Sequence, residues 1–487
     1  MKNFSIIEIL KTFTPAEIKG FDRFVKIPYF GGSEFIVKFW KEIKKAYPGF
    51  DEMSISKERV FKKLYPGKAY NDATIRKLSS ELLKMIEEFI MITELKKTKT
   101  GERMLLFSYR NRQLFSQYDS KWKEVQKHYR KESEFNFINL IERHLLQIPY
   151  IQVKSDRRKD REVFKERMKY YEYMIVYTLS ILMQEQTRAF QNKQVFNHFD
   201  GNIADDVFKY IDIEGLLKKI ENDYPEFKGL LMFNYNIMKA FEEKDGKGYF
   251  EKAKKIIIRN AAKMPRKALY FYCSLLINYL LKVKMGVKNE YADRSTIEIV
   301  EVLIKHNAAI EEPVNVLNST LFNITIEAYN SLGEVAKAEK FLKKFALALS
   351  PDTRETSVMI AEYYIALARE EYEKALEKLA VMDHLEQYNK LNFRRDKLVI
   401  FYELGMIDEA YSLAHSFRQF VKENDTVSRE ERNRAKLFVN YYGKLLDAKS
   451  KNDIKRFDEL EFLLQKDPVE FIYKDWLMEK VNKKARI

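Results

Sequence analysis

The chain has 487 residues, 46% of them hydrophobic and 14% aromatic, so it is long enough to bury several cores or one extended repeat array. Gly and Pro number only 15 and 10, which favours long helices joined by short turns and excludes a protein rich in β-turns. The formal net charge of +15 is uneven, because residues 96–170 carry 20 Lys or Arg against 10 Asp or Glu, whereas residues 171–487 are nearly balanced at 50 against 49. We therefore predict an all-α protein whose basic character is local.

Several classes of chemistry find no support in the sequence. The single cysteine, Cys273, excludes an internal disulfide and a Cys-based zinc site, and its apolar surroundings predict a buried, inert thiol. The six histidines are scattered singly, and there is no phosphate-binding loop, H-E-x-x-H or G-x-S-x-G motif. We expect no catalytic residue, no cofactor and no metal, and hence a protein that is not an enzyme.

The chain also shows no membrane or export signal. Its first ten residues turn polar too early for a signal peptide. The longest apolar runs, residues 170–183 and 268–281, fall short of the roughly 18 residues that a membrane-spanning helix needs. We expect a soluble, cytoplasmic protein without a membrane partner, and the sequence leaves its oligomeric state open.

Residues 1–95 read as a small helical domain. Thr14, followed by Pro15 and by Glu17, has the pattern of a capping box at a helix start. Ser33 is predicted to begin the next helix, Ser56 a short third one, and Asn71 or Asp72 a longer fourth one.

Part of this domain resembles the winged-helix domain that precedes helical repeats in some bacterial transcriptional activators. The resemblance lies in residues 54–86, where a short helix ends in a Leu-Tyr-Pro step, a polar loop follows, and a longer helix comes next. It implies that the longer helix reads DNA, with groove-facing positions at Asn71, Thr74, Arg76, Lys77 and Ser80.

Residues 96–170 form a basic helical segment that joins this domain to the rest of the chain. Two long helices are predicted, residues 102–131 and 133–147, the second ending near Pro149. A charged helix start follows and contains Arg157, Arg158 and Arg161. These cations form either a solvated helical face or a surface for an acidic partner or a nucleic-acid backbone.

Residues 171–487 are predicted to be helical-repeat material, and the pattern is clearest in residues 318–420. Ala338, Ala375 and Ala410 open the second helix of three successive pairs at spacings of 37 and 35, and Gly333 and Gly405 precede two of them by five residues. This pattern resembles the tetratricopeptide repeat, which implies an α-solenoid of antiparallel helix pairs with a groove along its first helices. A closing helix is predicted at residues 469–484, with Phe471, Ile472, Trp476 and Leu477 covering the last pair.

The resemblance makes an interaction scaffold the leading hypothesis for function. A protein or peptide partner is expected in the repeat groove, where the candidate contacts are polar or aromatic residues of the first helices. The alternative is a nucleic-acid-binding transcriptional regulator that uses Arg76, Lys77, Arg157, Arg158 and Arg161, with the repeats as a partner or signal-sensing module. The candidate groove residues are Asn323, Glu327, Asn330, Glu362, Tyr363, Arg394, Arg395 and Lys397.

Overall fold

Helix dominates the chain, as its composition predicts: 82% of it is helical, and the helices pack as sequential antiparallel pairs. The computed structural model describes residues 6–50, 55–97, 99–130, 135, 137–195, 203–311, 316–382, 390–424 and 428–483. Two compact units are present, one made of residues 1–128 and 146–163, and the other of residues 129–145 and 164–487. We call them the N-terminal unit and the C-terminal unit. The predicted joining segment, residues 96–170, is divided between the two.

The N-terminal unit begins with short helices that pack on one long helix. Its core is aromatic and contains Phe21, Phe39 and Trp40, each fully buried, with Phe89 of the long helix packed against Phe21. The helices of this part of the chain are α1 (Ile6–Lys11), α2 (Pro15–Phe24), α3 (Glu34–Lys44), α4 (Lys57–Leu64), α5 (Asp72–Lys97), α6 (Thr100–Asn111), α7 (Phe115–Arg130), α8 (Phe137–Asp156) and α9 (Asp160–Val195).

The predicted helix starts of this unit are confirmed by their capping hydrogen bonds. The Glu17 N–H donates to the Thr14 hydroxyl (3.2 Å), and the Thr14 N–H donates to the Glu17 carboxylate (2.8 Å), which completes the capping box. The Ser33 hydroxyl caps α3, and the Asn71 amide oxygen accepts from the Thr74 N–H (3.1 Å) at the start of α5.

The segment where a winged helix would place its β-hairpin is helical instead. α5 continues to Lys97, and α6 begins at Thr100, so no strand lies between residues 72 and 130 in the part of the chain that the structure describes. The predicted end of a helix at Pro149 is wrong, because α8 runs on to Asp156. Burial of Ile151 and Val153 beyond the proline outweighs the lost backbone hydrogen bond, which costs about 3 kcal/mol in a helix interior.

The C-terminal unit is a succession of helix pairs, each packed on the next. Ser319, Pro351 and Lys390 begin the first helices of the three pairs that the repeat pattern identifies. The helices of this unit after α9 are α10 (Ile203–Tyr210), α11 (Ile213–Asp223), α12 (Lys228–Glu242), α13 (Lys247–Asn260), α14 (Arg266–Lys284), α15 (Glu290–Lys305), α16 (Ser319–Ser331), α17 (Val335–Phe345), α18 (Pro351–Ala368), α19 (Tyr372–Met382), α20 (Lys390–Glu403), α21 (Ile407–Glu423), α22 (Arg429–Ser450), α23 (Ile454–Lys466) and α24 (Lys474–Lys483).

The three predicted pairs share one turn geometry. Gly333, Glu370 and Gly405 all adopt a left-handed backbone, with φ of +73°, +60° and +71°. In each turn the following N–H donates to the carbonyl five residues before it, which is the Schellman motif. These bonds run from Glu334 to Tyr329 (2.8 Å), from Glu371 to Ala366 (2.9 Å) and from Met406 to Phe401 (2.9 Å).

The small residues that open the second helices are fully buried. Ala338, Ala375 and Ala410 each have 0% of their surface exposed, in α17, α19 and α21. A methyl side chain lets the two helices of a pair approach closely, and full burial is what the predicted close approach requires.

Two features of the C-terminal unit differ from the prediction. A short antiparallel hairpin, β1 (Ile310–Glu311) and β2 (Val316–Leu317), lies between α15 and α16, although the sequence predicts no strand. The closing helix α24 starts at Lys474, so the residues before it, predicted to be helical from position 469, are not.

Candidate functional site

A cavity of about 990 Å³ lies inside the C-terminal unit, and we call it the inner cavity. Its wall is made by residues of α14, α16, α18, α20 and α22, which come from helix pairs far apart in the sequence. Residues 470–479 complete the wall. The first helices of the repeat pairs therefore face a common space.

The non-helical residues 467–473, here called the C-terminal segment, bind the wall of the inner cavity through main chain and side chain. The Ile472 N–H donates to the carbonyl oxygen of Gly286, in the turn after α14, at 2.9 Å. The Tyr473 hydroxyl donates to Asp396 of α20 at 2.5 Å, and Phe471 is buried with 4% of its surface exposed. A stretch of chain that is not part of a helix is thus held by helices that begin up to two hundred residues earlier.

Asp396 is a buried carboxylate of the cavity wall, and it accepts hydrogen bonds from two tyrosines. Tyr363 of α18 donates to one oxygen (2.7 Å), and Tyr473 donates to the other. Burial raises the pKa of Asp396 to about 6, against these two hydrogen bonds and the charge of Arg395, which lower it. Asp396 is therefore partly protonated in mildly acidic solution.

A second group of charges surrounds Lys284 at the end of α14. Its ammonium group lies 2.5 Å from Asp293 and 3.2 Å from Glu327, and the Ser331 hydroxyl donates to Asp293 at 2.7 Å. Burial alone would lower the pKa of Lys284, but the charges of Glu327 and Asp293 outweigh it and raise that pKa. Burial raises the pKa of Asp293, whose side chain is fully enclosed, and Lys284 opposes that shift.

Arg395 and Glu431 form a buried ion pair beside the cavity. Their side chains are 2.8 Å apart, and 1% of Arg395 and 7% of Glu431 are exposed. Arg395 also donates to the Asn392 side chain at 2.9 Å. Because a buried charge without its partner is strongly destabilising, each member of this pair requires the other.

Of the predicted groove residues, Glu327 and Asn330 of α16 line the inner cavity directly. Both amide atoms of Asn330 are buried without a hydrogen-bond partner among the described residues. Tyr363 and Arg395 lie behind the wall, where Asp396 and Glu431 engage them, so neither has a free side chain to offer a partner.

The other predicted groove residues lie elsewhere. Asn323 is half-buried on α16. Glu362 pairs with Lys378 (2.5 Å) beside a shallow depression of about 430 Å³. Arg394 lies over the ring of Phe420 at 4.6 Å, and Lys397 lies over that of Phe401 at 5.9 Å.

The predicted basic contacts lie in the N-terminal unit, and some are already paired there. Arg157 binds Asp119 at 3.0 Å and the Phe115 carbonyl at 3.1 Å. Arg158 is exposed in the turn between α8 and α9, and Arg161 is exposed in the first turn of α9.

On α5, the two cations of the predicted recognition helix form pairs within their own helix. Arg76 lies 2.8 Å from Asp72, and Lys77 lies 4.0 Å from Glu81. Both side chains remain largely exposed. Ion pairs on a helix surface are weak, so either cation can exchange its carboxylate for another partner.

The described residues contain no cluster of three or more His, Cys, Asp or Glu that is arranged to hold a metal ion. Cys273 is buried, as predicted, and burial raises its pKa to about 12, so its thiol is not ionised at neutral pH. Among the described helices, none is long and apolar enough to cross a membrane.

Sequence reasoning missed the residues that organise the inner cavity. Lys284, Asp293 and Glu431 lie on helices outside the three clear repeats, and Asp396 lies next to Arg394 and Arg395 in an R-R-D triplet. The one signal available was Lys284, a charge that follows the long apolar run of α14. Their proximity results from helix packing, which no local pattern encodes.

Comparisons of the chain with models of protein families, with curated proteins and with solved structures found no match. A function for this chain therefore has to be inferred from the geometry of the inner cavity.

Proposed function

We propose that this protein is a non-enzymatic interaction scaffold, built from tetratricopeptide-like helix pairs, whose inner cavity receives a non-helical segment of a protein partner. The observation that carries the proposal is that the helices around the inner cavity already bind such a segment of their own chain, which forms part of the cavity wall. The C-terminal segment contacts Gly286 through its backbone and Asp396 through the Tyr473 hydroxyl.

This mode of binding has the two parts that peptide recognition needs. A main-chain hydrogen bond, such as that from Ile472 to Gly286, contributes affinity without reading sequence, and pockets for side chains contribute specificity. A volume of about 990 Å³ matches the upper end of ordinary ligand sites. The predicted contacts Glu327 and Asn330 are on the wall where a partner segment would lie.

A peptide added in trans tests the proposal. The probe is a fluorescent peptide with the sequence of residues 466–480, and the full-length chain is tested as wild type, Tyr473→Phe and Tyr411→Phe. Tyr473→Phe removes the hydrogen bond to Asp396 and so loosens the resident segment, and we expect it to bind the peptide about 3- to 10-fold more tightly than wild type does. Fluorescence anisotropy measures the affinity.

Tyr411→Phe is the matched control, because Tyr411 also donates to a carboxylate, Asp447 at 2.8 Å, outside the inner cavity. Its affinity should equal that of the wild type. The proposal fails if no variant binds the peptide, or if a scrambled peptide binds equally well.

Partner capture then tests the cellular role. A photo-crosslinking residue at Asn330, on the cavity wall, should trap a partner that excess peptide displaces. The same group at Ile454, which is 67% exposed outside the cavity, should not trap that partner. Trapping from both positions, or trapping that the peptide leaves unchanged, contradicts binding in the cavity.

A second proposal is a nucleic-acid-binding regulator in which α5 of the N-terminal helical unit acts as the recognition helix. Its support is the set of exposed cations in the N-terminal unit, Arg76, Lys77, Arg158 and Arg161. An electrophoretic shift assay with generic duplex DNA at low and at physiological salt tests it. Replacing Arg158 and Arg161 with Gln should lower the slope of log affinity against log salt by about 0.9 for each phosphate that the variant no longer neutralises.

Changing Arg76 and Lys77 should alter sequence preference instead, because base contacts carry specificity. Arg157 is left unchanged, since its pairing with Asp119 makes it part of the fold. No shift at low salt contradicts the second proposal.

A further inference from the structure

The wall of the inner cavity carries more negative than positive charge. Three carboxylates on the helices of its wall, Glu327, Asp396 and Glu431, accompany one wall lysine, Lys284, which already pairs with Glu327. Behind the wall, Arg395 adds one positive charge and Asp293 adds one negative charge, so the excess of negative charge stays the same. At the mouth, Glu470, Asp475 and Glu479 outnumber Lys288 and Lys474.

Glu431 provides an independent sign that the deep wall is built to receive a donor. Its side chain is more than nine-tenths buried, and its Oε2 atom has no hydrogen-bond partner among the described residues, because Arg395 binds Oε1. Gly286 lies opposite this atom: a Cβ there would sit 2.6 Å from Oε2. Gly286 therefore packs closely against the unpaired oxygen, and a larger residue at this position would displace the carboxylate.

The remaining wall groups suit the same kind of ligand. Asn330 offers a buried amide oxygen that accepts no hydrogen bond from the described residues. Tyr364, Phe420 and Trp476 add aromatic rings to the wall, and cations of the chain already lie over two of them, Arg394 over Phe420 and Lys480 over Trp476. A buried carboxylate requires a proton or a positive partner, and here Glu431 pairs with Arg395 through one oxygen while two tyrosine hydroxyls hold Asp396, so each carboxylate has lone pairs left for a further donor.

We propose that the inner cavity is a binding site for an organic cation, an ammonium or guanidinium group carried by a free amine or by a basic side chain of a bound peptide. Glu431 and Asp396 accept its hydrogen bonds, and Asn330 and the aromatic rings line the rest of its surface. The peptide form rests on the proposed function above, whereas the free-amine form does not.

Binding of a cation should depend on the ionisation of Asp396. The titratable and charged groups that face it are Arg395 on its own helix, Tyr363 and Tyr364 on α18, Glu327 on α16, and Tyr473 of the C-terminal segment. Because the pKa of Asp396 is about 6, affinity for a cation should rise between pH 5 and pH 7.5.

Isothermal titration calorimetry on the full-length chain tests the proposal. The free-amine probe is 1,4-diaminobutane, with 1,4-butanediol as its neutral analogue. The peptide probe is acetyl-Gly-Arg-Gly-amide, with citrulline in place of arginine as its neutral analogue. Each is titrated in about 0.15 M salt, where attraction to the exposed surface is screened.

Asp396→Asn, which keeps the size of the side chain and an acceptor for the tyrosines, should weaken cation binding about tenfold or more and remove its pH dependence. Glu327→Gln is a second variant. Glu327 is half-exposed and does not belong to the buried Arg395–Glu431 pair, and its replacement should also weaken cation binding. Asp447→Asn is the matched control, because Asp447 accepts a hydrogen bond from Tyr411 outside the cavity.

Binding of the diamine, lost in Asp396→Asn and kept in Asp447→Asn, establishes the free-amine form. Binding of the arginine peptide alone establishes the peptide form. The inference is overturned if neither cation binds, if the neutral analogues bind equally, or if Asp447→Asn loses as much affinity. If the peptide of residues 466–480 binds while no cation does, this inference fails and the proposed function stands. If the diamine binds while that peptide does not, the proposed function fails and the free-amine form of this inference stands.

Discussion

The crossings of the repeat helices and the wall of the inner cavity are both buried in the C-terminal unit, yet they are built from opposite kinds of residue. Ala338, Ala375 and Ala410 fill the crossings with methyl groups. The cavity wall buries Arg395 with Glu431 and holds Asp396 by hydrogen bonds from two tyrosine hydroxyls. Apolar crossings stabilise the fold directly, whereas burying charges costs desolvation energy that the pairing only partly offsets. The crossings therefore contribute to stability, whereas the polar cavity wall is retained at an energetic cost.

The largest expected effect is the loss of one member of the buried ion pair. Glu431→Ala leaves the guanidinium of Arg395 buried without its partner, which should lower the free energy of unfolding by about 3 to 5 kcal/mol. Urea denaturation measures the change. The neighbouring Glu430→Ala is the control, because Glu430 is exposed and pairs with Arg434 on the helix surface, where such pairs contribute about 1 kcal/mol or less. If Glu431→Ala and Glu430→Ala lower the free energy of unfolding equally, the buried Arg395–Glu431 pair contributes no more to stability than a surface pair does.

The next effect is the pH dependence that Asp396 contributes. Its pKa is raised from 3.8 to about 6 in the folded protein, so the protonated form favours folding: this stability is fully present below pH 3.8 and is lost as the pH rises through 6. Relative to Asp396→Asn, the wild type should therefore be more stable at pH 4 than at pH 7.5, by about 3 kcal/mol at about 1.4 kcal/mol per pKa unit.

Urea denaturation of both proteins at the two pH values measures that difference, and all other carboxylates cancel between them. A difference that does not change with pH, or that changes in the opposite direction, would contradict a raised pKa at Asp396.

At the apolar crossings the test is added volume. Ala375→Phe should lower the free energy of unfolding by roughly 1 to 3 kcal/mol, because the helices in contact there have no room for a ring. Ala380→Phe is the matched control, since Ala380 is on the same helix α19 but is exposed. A thermal melt in which Ala375→Phe keeps wild-type stability would exclude a close helix crossing at this residue.

The smallest effect compares two glycines with the same backbone. Gly286 at the cavity and Gly405 in a repeat turn both have φ of +71°, but a Cβ at Gly405 would meet nothing within 4 Å, whereas at Gly286 it would crowd Glu431 and Arg434. Both Gly→Ala substitutions carry the left-handed penalty of about 1 to 2 kcal/mol. We expect Gly286→Ala to cost about 1 kcal/mol more and to weaken cation binding, as measured by urea denaturation and calorimetry. Equal costs would show that the space beside Glu431 has no structural role.

Local patterns predicted those features whose causes lie within a few residues. The capping box at Thr14 needs only Glu17, and the repeat turn at Gly405 needs only the hydrogen bond from Met406 to Phe401. For the same reason the prediction failed at Pro149, where buried residues further along α8 outweigh the local preference. The candidate groove was predicted in part: Glu327 and Asn330 line the cavity, but Arg395 is enclosed by Glu431, 36 positions later.

By itself, the sequence determined the helical class, the capped helix starts at Thr14, Ser33 and Asn71, and the positions of Ala338, Ala375 and Ala410, because periodicity, capping and small-residue spacing act over one or two helical turns. Only the tertiary structure decided that Gly286, Asp396 and Tyr473 meet. That meeting depends on the angles at which the helices from α15 to α23 pack in succession, and small differences at each crossing add up over the nearly two hundred residues between Gly286 and Tyr473. The charge of the inner cavity is therefore a property of the packed array, since no single helix contains it.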